Sequence, residues 1–255
     1  METIEINGQE FALGCHERTA AVGSVRPRLG ETISLIPKSK WEPCDFSALV
    51  PDPGLQGQHG ACVGFQCTNA VETQYRIGGQ DGPKLSPWAL YAMICGGRDQ
   101  GANIGDALTA LHGTGVPTLA QCPNFALNVN SLPIGWTRDA ARHQVAESFD
   151  CPDQASIASA VQCRFPTPLG IAVYANFTEL QTISGKLCVP TPRGRLRGGH
   201  CVLGCGLDYI GGAWRLKIAT KSWGLNFGDQ GCAWYCLDWL SDANADGWCV
   251  RAVTY

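Results

Sequence analysis

No run in this 255-residue sequence approaches the roughly 20 consecutive apolar residues that cross a bilayer, so no membrane span is expected. The first residues, Met1-Glu2-Thr3-Ile4-Glu5, lack the basic and apolar regions of a secretory signal. The chain therefore reads as soluble and not exported by that route, hence cytoplasmic, or virion-associated if a phage encodes it. Charge is also scarce, at 16% of residues with a net −3. That balance argues against general nucleic-acid binding. Internal repeats and low-complexity segments are not evident.

Cysteine is plentiful, but the C-x-x-C spacing of metal and redox motifs is missing from all fourteen. Two C-x-x-x-C pairs, Cys201/Cys205 and Cys232/Cys236, fall in segments that read as strands. Residues four apart on a strand share a face but lie about 13 Å apart, so neither pair chelates a metal alone. A four-cysteine zinc site across two neighbouring strands is geometrically allowed. Buried free thiols in a reducing compartment are the plainer reading, and disulfides rank second. No cofactor or metal is expected.

Thirty-one glycines and fifteen prolines suggest a loop-rich, mixed architecture. Residues 1–40 show no strong periodicity and read as a short N-terminal extension. Residues 41–55 read as an extended lead-in. A helix is expected from Cys62 to Ile77, ended by Gly78-Gly79. Ser86-Pro87 is a good helix start, Asn103 can cap a third helix through Leu111, and Asp153 a fourth. After Pro168 the pattern turns to short β-rich runs at residues 169–174, 200–209, 214–220 and 231–237. Helices first and antiparallel strands later make an α+β protein, with a helical part about 56–165 and a β-rich part about 166–255.

Three separated segments carry the parts of thiolate chemistry: Gln56-Gly57-Gln58-His59-Gly60-Ala61-Cys62, Gly198-Gly199-His200, and Ser222-Trp223-Gly224. An ordinary cysteine is mostly protonated at neutral pH. Cys62 at a helix start gains from the dipole, and a nearby histidine can hold its proton. The Gln56 amide and the Cys62 backbone N–H can serve a developing oxyanion. His200 lies 138 positions after Cys62 and opens a strand. This geometry requires the Cys62 sulfur within about 3–4 Å of the His200 ring. His59 reads as a loop residue near the cleft.

Over residues 41–255 these motifs resemble the papain-like cysteine peptidases, nearest to their bacterial and phage-type branch. Further residues that carry the resemblance are Leu85-Ser86, Gly101-Ala102, Asp106-Ala107-Leu108, Ile171-Ala172-Val173-Tyr174, Asp208-Tyr209 and Gly228-Asp229-Gln230-Gly231. It implies a papain-like fold, with a helical left domain, an antiparallel β-barrel-like right domain and a cleft between them. It implies a monomeric thiol peptidase acting on peptides or proteins. Cys62 is then the nucleophile, His200 the base and acid, and Gln56 the oxyanion donor. Gly101, Ala102 and Gly199 match the backbone that binds an extended substrate, and Trp223 the shield over the histidine.

Two positions depart from the pattern. Lys221 stands where the family places an orienting asparagine, and Val63 where it places a tryptophan. A protonated lysine cannot accept an imidazole N–H. Lys221, Ser222 and Trp223 are therefore the candidate orienter region, with Lys221 able to swing to solvent while Ser222, a backbone carbonyl or water orients the ring. The alternative function is a catalytically silent papain-fold module that binds peptides or serves in an assembly. Residues 1–40 are too short for the long inhibitory prosegment of many secreted relatives and amount at most to a short plug. Asp242, Asn244, Asp246 and Gly247 imitate half a calcium loop, but Val253 falls where its bidentate carboxylate belongs. Arg193, Arg195 and Arg197 read as a solvated basic loop, with attraction of acidic substrate as the sharper alternative.

Overall fold

The computed structural model describes residues 1–18, 26–240 and 246–254. The chain opens with a hairpin, β1 (Thr3–Ile6) and β2 (Gln9–Ala12). Its turn is Asn7-Gly8, both with positive φ, the pairing that suits the twist of two flanking strands. The short α1 (Leu29–Thr32) and β3 (Cys44–Asp45) follow. Next come α2 (Cys62–Ile77), α3 (Pro87–Ile94), α4 (Ile104–Gly113) and α5 (Trp136–Ala140). Strand β4 (Val145–Cys151) and helix α6 (Gln154–Gln162) lead into β5 (Thr167–Tyr174), β6 (Gln181–Ile183) and β7 (Lys186–Cys188). The chain ends through β8 (Leu196–Ile210), β9 (Ala213–Ala219), β10 (Cys232–Cys236) and β11 (Asp246–Val253).

The α+β expectation therefore holds. Ser86 caps α3 by accepting the Ala89 N–H at 3.1 Å, with Pro87 opening the helix. Asp153 and Ser156 form a reciprocal capping box on α6. Asn103 precedes α4 but makes no side-chain cap, and the helix runs on to Gly113. The larger sheet runs β4-β11-β5-β8-β9-β10-β7-β6, with β3 added on β8. Its pairings are antiparallel except β10 with β7. Among the described residues the order does not close on itself, so the barrel-like part is an open sheet. No described helix is long and apolar enough to cross a membrane. Asp242 and Asn244 of the calcium-like turn lie outside the described residues.

Helix α2 is the axis of the molecule, packed against α3, α4, β5, β8 and β11. Being surrounded, it buries polar side chains as well as apolar ones, and each needs a partner. Thr68 and Thr73 donate back to the carbonyls of Gly64 and Asn69. Glu72 accepts the Leu85 N–H at 2.7 Å, which ties α2 to the start of α3.

Burial pushes the Glu72 carboxyl from 4.5 up to about 7, against smaller opposing effects of the Leu85 N–H, Arg76 and Lys84. The folded state thus holds a proton that the unfolded chain releases between those two values. Stability is lost as pH rises through that window, by roughly 3 kcal/mol for such a shift. Glu72→Gln keeps an acceptor for Leu85 but cannot ionise. Urea denaturation should show the variant more stable than the parent at about pH 8, with the difference shrinking toward about pH 5.

Candidate active site

Cys62 is the first residue of α2 and is fully buried. The residue before it, Ala61, makes no side-chain cap, so the first-turn N–H groups stay free to favour an anion. Main-chain groups of Gly14, Val63 and Cys201 face its sulfur and favour the thiolate. Burial outweighs them, with the Cys15 thiol adding to it, and pushes Cys62 up to about 12. His200 sits in β8 opposite Ile171, immediately before the Cys201 that faces the thiol. Its ring stacks on Trp223, centroids 4.0 Å apart, and burial pushes it down to about 3. Phe11, Phe177 and Phe227 surround that tryptophan.

The expected hydrogen bond between Cys62 and His200 is not made. Neither imidazole nitrogen has a partner among the described residues. Excluded from water, both groups favour their neutral forms, so they do not form an ion pair here.

Gln56 is held from three sides. Its Oε1 accepts from the Ser222 hydroxyl at 2.7 Å, and Ser222 in turn accepts from the Gln66 amide at 3.3 Å. The Gln56 amide donates to the carbonyls of His59 and Ala12, each at 3.0 Å. Ser222 therefore orients the glutamine, not the histidine. Lys221 does not swing to solvent either; it is buried, its ammonium donating to the Val50 carbonyl.

The loop between Gln56 and Cys62 is pinned by Asp99, which sequence reasoning missed. Its carboxylate accepts from the Gly60 N–H and the Tyr91 hydroxyl, each at 2.8 Å, and meets the His59 ring at 2.8 Å. His59 stacks on Phe125 and is a structural part of this loop.

The cleft holds part of the chain itself. Residues 12–16 lie extended along it: the Ala102 N–H donates to Gly14 O, His16 N–H to Ala102 O and Cys15 N–H to Gly199 O, at 2.9–3.0 Å. The bridge between Cys15 and Ala102 is parallel. Contact is so close that glycine is required. A Cβ on Gly14 would lie 2.4 Å from Gly60 O, and one on Gly101, at φ +100°, 2.3 Å from Gly14 O. The Cys62 sulfur faces the main chain of Gly14, while the Gln56 amide binds the carbonyl of Ala12 two residues earlier.

Ion pairs moor the two ends of this segment. Arg195 and Arg197 pair with Glu2, whereas Arg193 pairs with Glu179. Arg18 reaches Asp150 and Asp246 and lies over the Trp248 ring. Two arginines of the basic loop thus serve the N-terminal hairpin. The paired C-x-x-x-C cysteines do not gather at one point: Cys205 meets Cys232, while Cys201 meets Cys15 and Cys67. Among the described residues no group of three or more His, Cys, Asp or Glu is arranged to hold a metal.

The sequence matches no family model. It matches no curated protein sequence. Solved structures do resemble the fold. Xylellain, a cysteine protease from Xylella fastidiosa, is 22% identical and superposes with a TM-score of 0.72 over 94% of this chain and 96% of that one. Procathepsin B S9 from Trypanosoma congolense is 14% identical, with a TM-score of 0.73 over 96% and 87%. Bromelain from Ananas comosus, solved with the E64 inhibitor, is 19% identical, with a TM-score of 0.64 over 85% and 100%. This chain has the fold of the papain-like cysteine proteases.

Proposed function

We propose that this protein is a thiol peptidase that hydrolyses peptide bonds through an acyl-enzyme on Cys62, and that its residues 12–16 hold it latent. One observation supports the reading: the Gln56 amide and the backbone of Ala102 and Gly199 bind an extended stretch of chain, whose Gly14 main chain faces the sulfur of Cys62 at its helix start. The bound segment is seated as an inhibitor. Its main chain at Gly14 faces the Cys62 sulfur and so occupies the position that a substrate needs.

When the segment lifts, water reaches the pair and the proton passes from Cys62 to His200. The thiolate adds to a substrate carbonyl, and the oxyanion accepts from the Gln56 amide and the Cys62 N–H. The imidazolium protonates the leaving amine. Water, deprotonated by His200, then cleaves the thioester. The direct test is a peptide library with mass-spectrometric detection of products. Cleavage lost in Cys62→Ala supports the reading; cleavage unchanged in that variant refutes it.

A second reading, a silent module that binds peptides, is favoured by the His200 nitrogens lacking partners and by the buried Lys221. Lys221→Asn separates the two. It removes the donor to Val50 O, at a cost of about 1–3 kcal/mol in stability. It also supplies an acceptor for the imidazole N–H. About a tenfold gain in kcat/KM, worth ~1.4 kcal/mol, is expected together with a lower Tm. An inert Lys221→Asn protein favours the silent module.

A further inference from the structure

We infer that Cys15 and Cys201 form a redox latch, a disulfide that locks the N-terminal segment across the cleft. The inference rests on the proposed inhibitory role of that segment. In the β5–β8 ladder Gly170 lies directly opposite Cys201. Side chains of such opposed residues share a face, with Cβ atoms about 4.5–5.5 Å apart. Gly170 has none, and the Asp246 side chain and the Cys15 sulfur share the space, 3.2 and 3.4 Å from where its Cβ would be. Cys15 thus lies on the face that Cys201 presents, and its thiol is among the groups that push the Cys201 thiol up. The Cys15 N–H bonded to Gly199 O at 3.0 Å sets the register, two residues from Cys201.

Cys62 stays outside the latch. Its sulfur faces main-chain groups of Gly14, Val63 and Cys201. Cys67, on α2, touches Cys201 from the body of the protein and is the competing partner. The segment is otherwise held by hydrogen bonds to Gln56, Ala102 and Gly199 and by surface ion pairs that contribute little each and weaken with salt, all of them reversible. A covalent bond would add a hold that persists when these contacts open.

The chemistry balances with glutathione disulfide as oxidant. The Cys15 thiolate on a lifted segment attacks that disulfide, giving a mixed disulfide and one glutathione thiol. On docking, the Cys201 thiolate attacks the Cys15 sulfur and expels the second glutathione as thiolate, which takes up a proton. Two protein thiols are oxidised and one glutathione disulfide is reduced. Burial, with the Cys15 and Cys67 thiols beside it, pushes Cys201 well above the ordinary thiol range. Exchange is therefore slow while the segment is seated. Excess glutathione reverses the steps and frees the segment.

The test uses the full chain, equilibrated with glutathione disulfide or with reduced glutathione and then freed of both. Non-reducing peptide mapping should find the peptide that ends at Arg18 linked to the one spanning 198–215, with fragment ions placing the bond at Cys201, not Cys205. The rate of Cys62 alkylation by iodoacetamide should fall at least ~100-fold on oxidation, because a tethered segment rebinds at high effective concentration. Cys15→Ser should abolish both the link and the fall. Absence of the link, a Cys67–Cys201 link in its place, or an undiminished fall in Cys15→Ser would each overturn the latch. Neither readout needs peptide hydrolysis. A linked, slowly alkylated protein that cleaves nothing after reduction refutes the peptidase reading and leaves the latch standing. A protein that cleaves peptides equally well before and after oxidation refutes the latch alone.

Discussion

Replacing His200 by alanine should lower kcat/KM on peptides by ~10³-fold or more, measured in a protein whose N-terminal segment no longer fits the cleft. In the closed arrangement the loss would be masked, because Cys62 and His200 are both neutral there. Opening changes the sign of the environment. Water and the α2 N-terminus then favour the thiolate, and His200 adjoins Cys201, whose main chain faces the Cys62 sulfur. The loss should come mainly in kcat, since the ring acts on the proton and not on substrate affinity. The thiolate fraction, followed by its ultraviolet absorbance across pH, should also fall at neutral pH. A His200→Ala protein with full activity would remove the histidine from the mechanism.

Gly14→Ala should raise the activity of the full-length protein by ~100-fold. The new methyl would lie 2.4 Å from Gly60 O, a main-chain atom held in place because the Gly60 N–H donates to Asp99. Both sides of the clash are backbone, so the cost belongs at the upper end of the ~1–3 kcal/mol typical of overpacking. Shifted entirely onto the docking equilibrium, that is ~100-fold in open protein. The Ala12, Gly14, Cys15 and His16 hydrogen bonds to the cleft are released together, and the cleft's own residues are untouched. The pH–activity curve should keep its shape, because the chemistry is the same. A properly folded Gly14→Ala protein with unchanged activity would show that the segment does not limit access.

Much of this arrangement was legible before the structure. Ser86 with Pro87, and Asp153, announce their helices because capping is a local matter settled within four residues. The loop from Gln56 to Cys62 is likewise local chemistry in a local pattern. Strands β4 and β11 were not legible, since β11 carries register shifts near Val250 and Ala252 that break its alternation. The first hairpin did carry a signal, Asn7-Gly8 between Ile4, Ile6 and Phe11, but one too short to register as periodicity across residues 1–40. Asp99 and Gln66 hold the site through contacts 39 and 156 residues away in the chain, which no local pattern encodes. The fit of Gly14 against Gly60 and Gly101 is of the same kind. It depends on three backbones meeting, and glycines in a loop-rich chain do not say which of them meet.

The most direct measurement is covalent labelling of Gly14→Ala protein with an epoxide thiol-peptidase inhibitor at neutral pH, read by peptide mass spectrometry. One adduct is expected, on Cys62 and none of the other thirteen cysteines, formed far faster than in the parent and suppressed by His200→Ala. Labelling spread over many thiols, or labelling of Cys62 indifferent to His200→Ala, would contradict an activated nucleophile at this site.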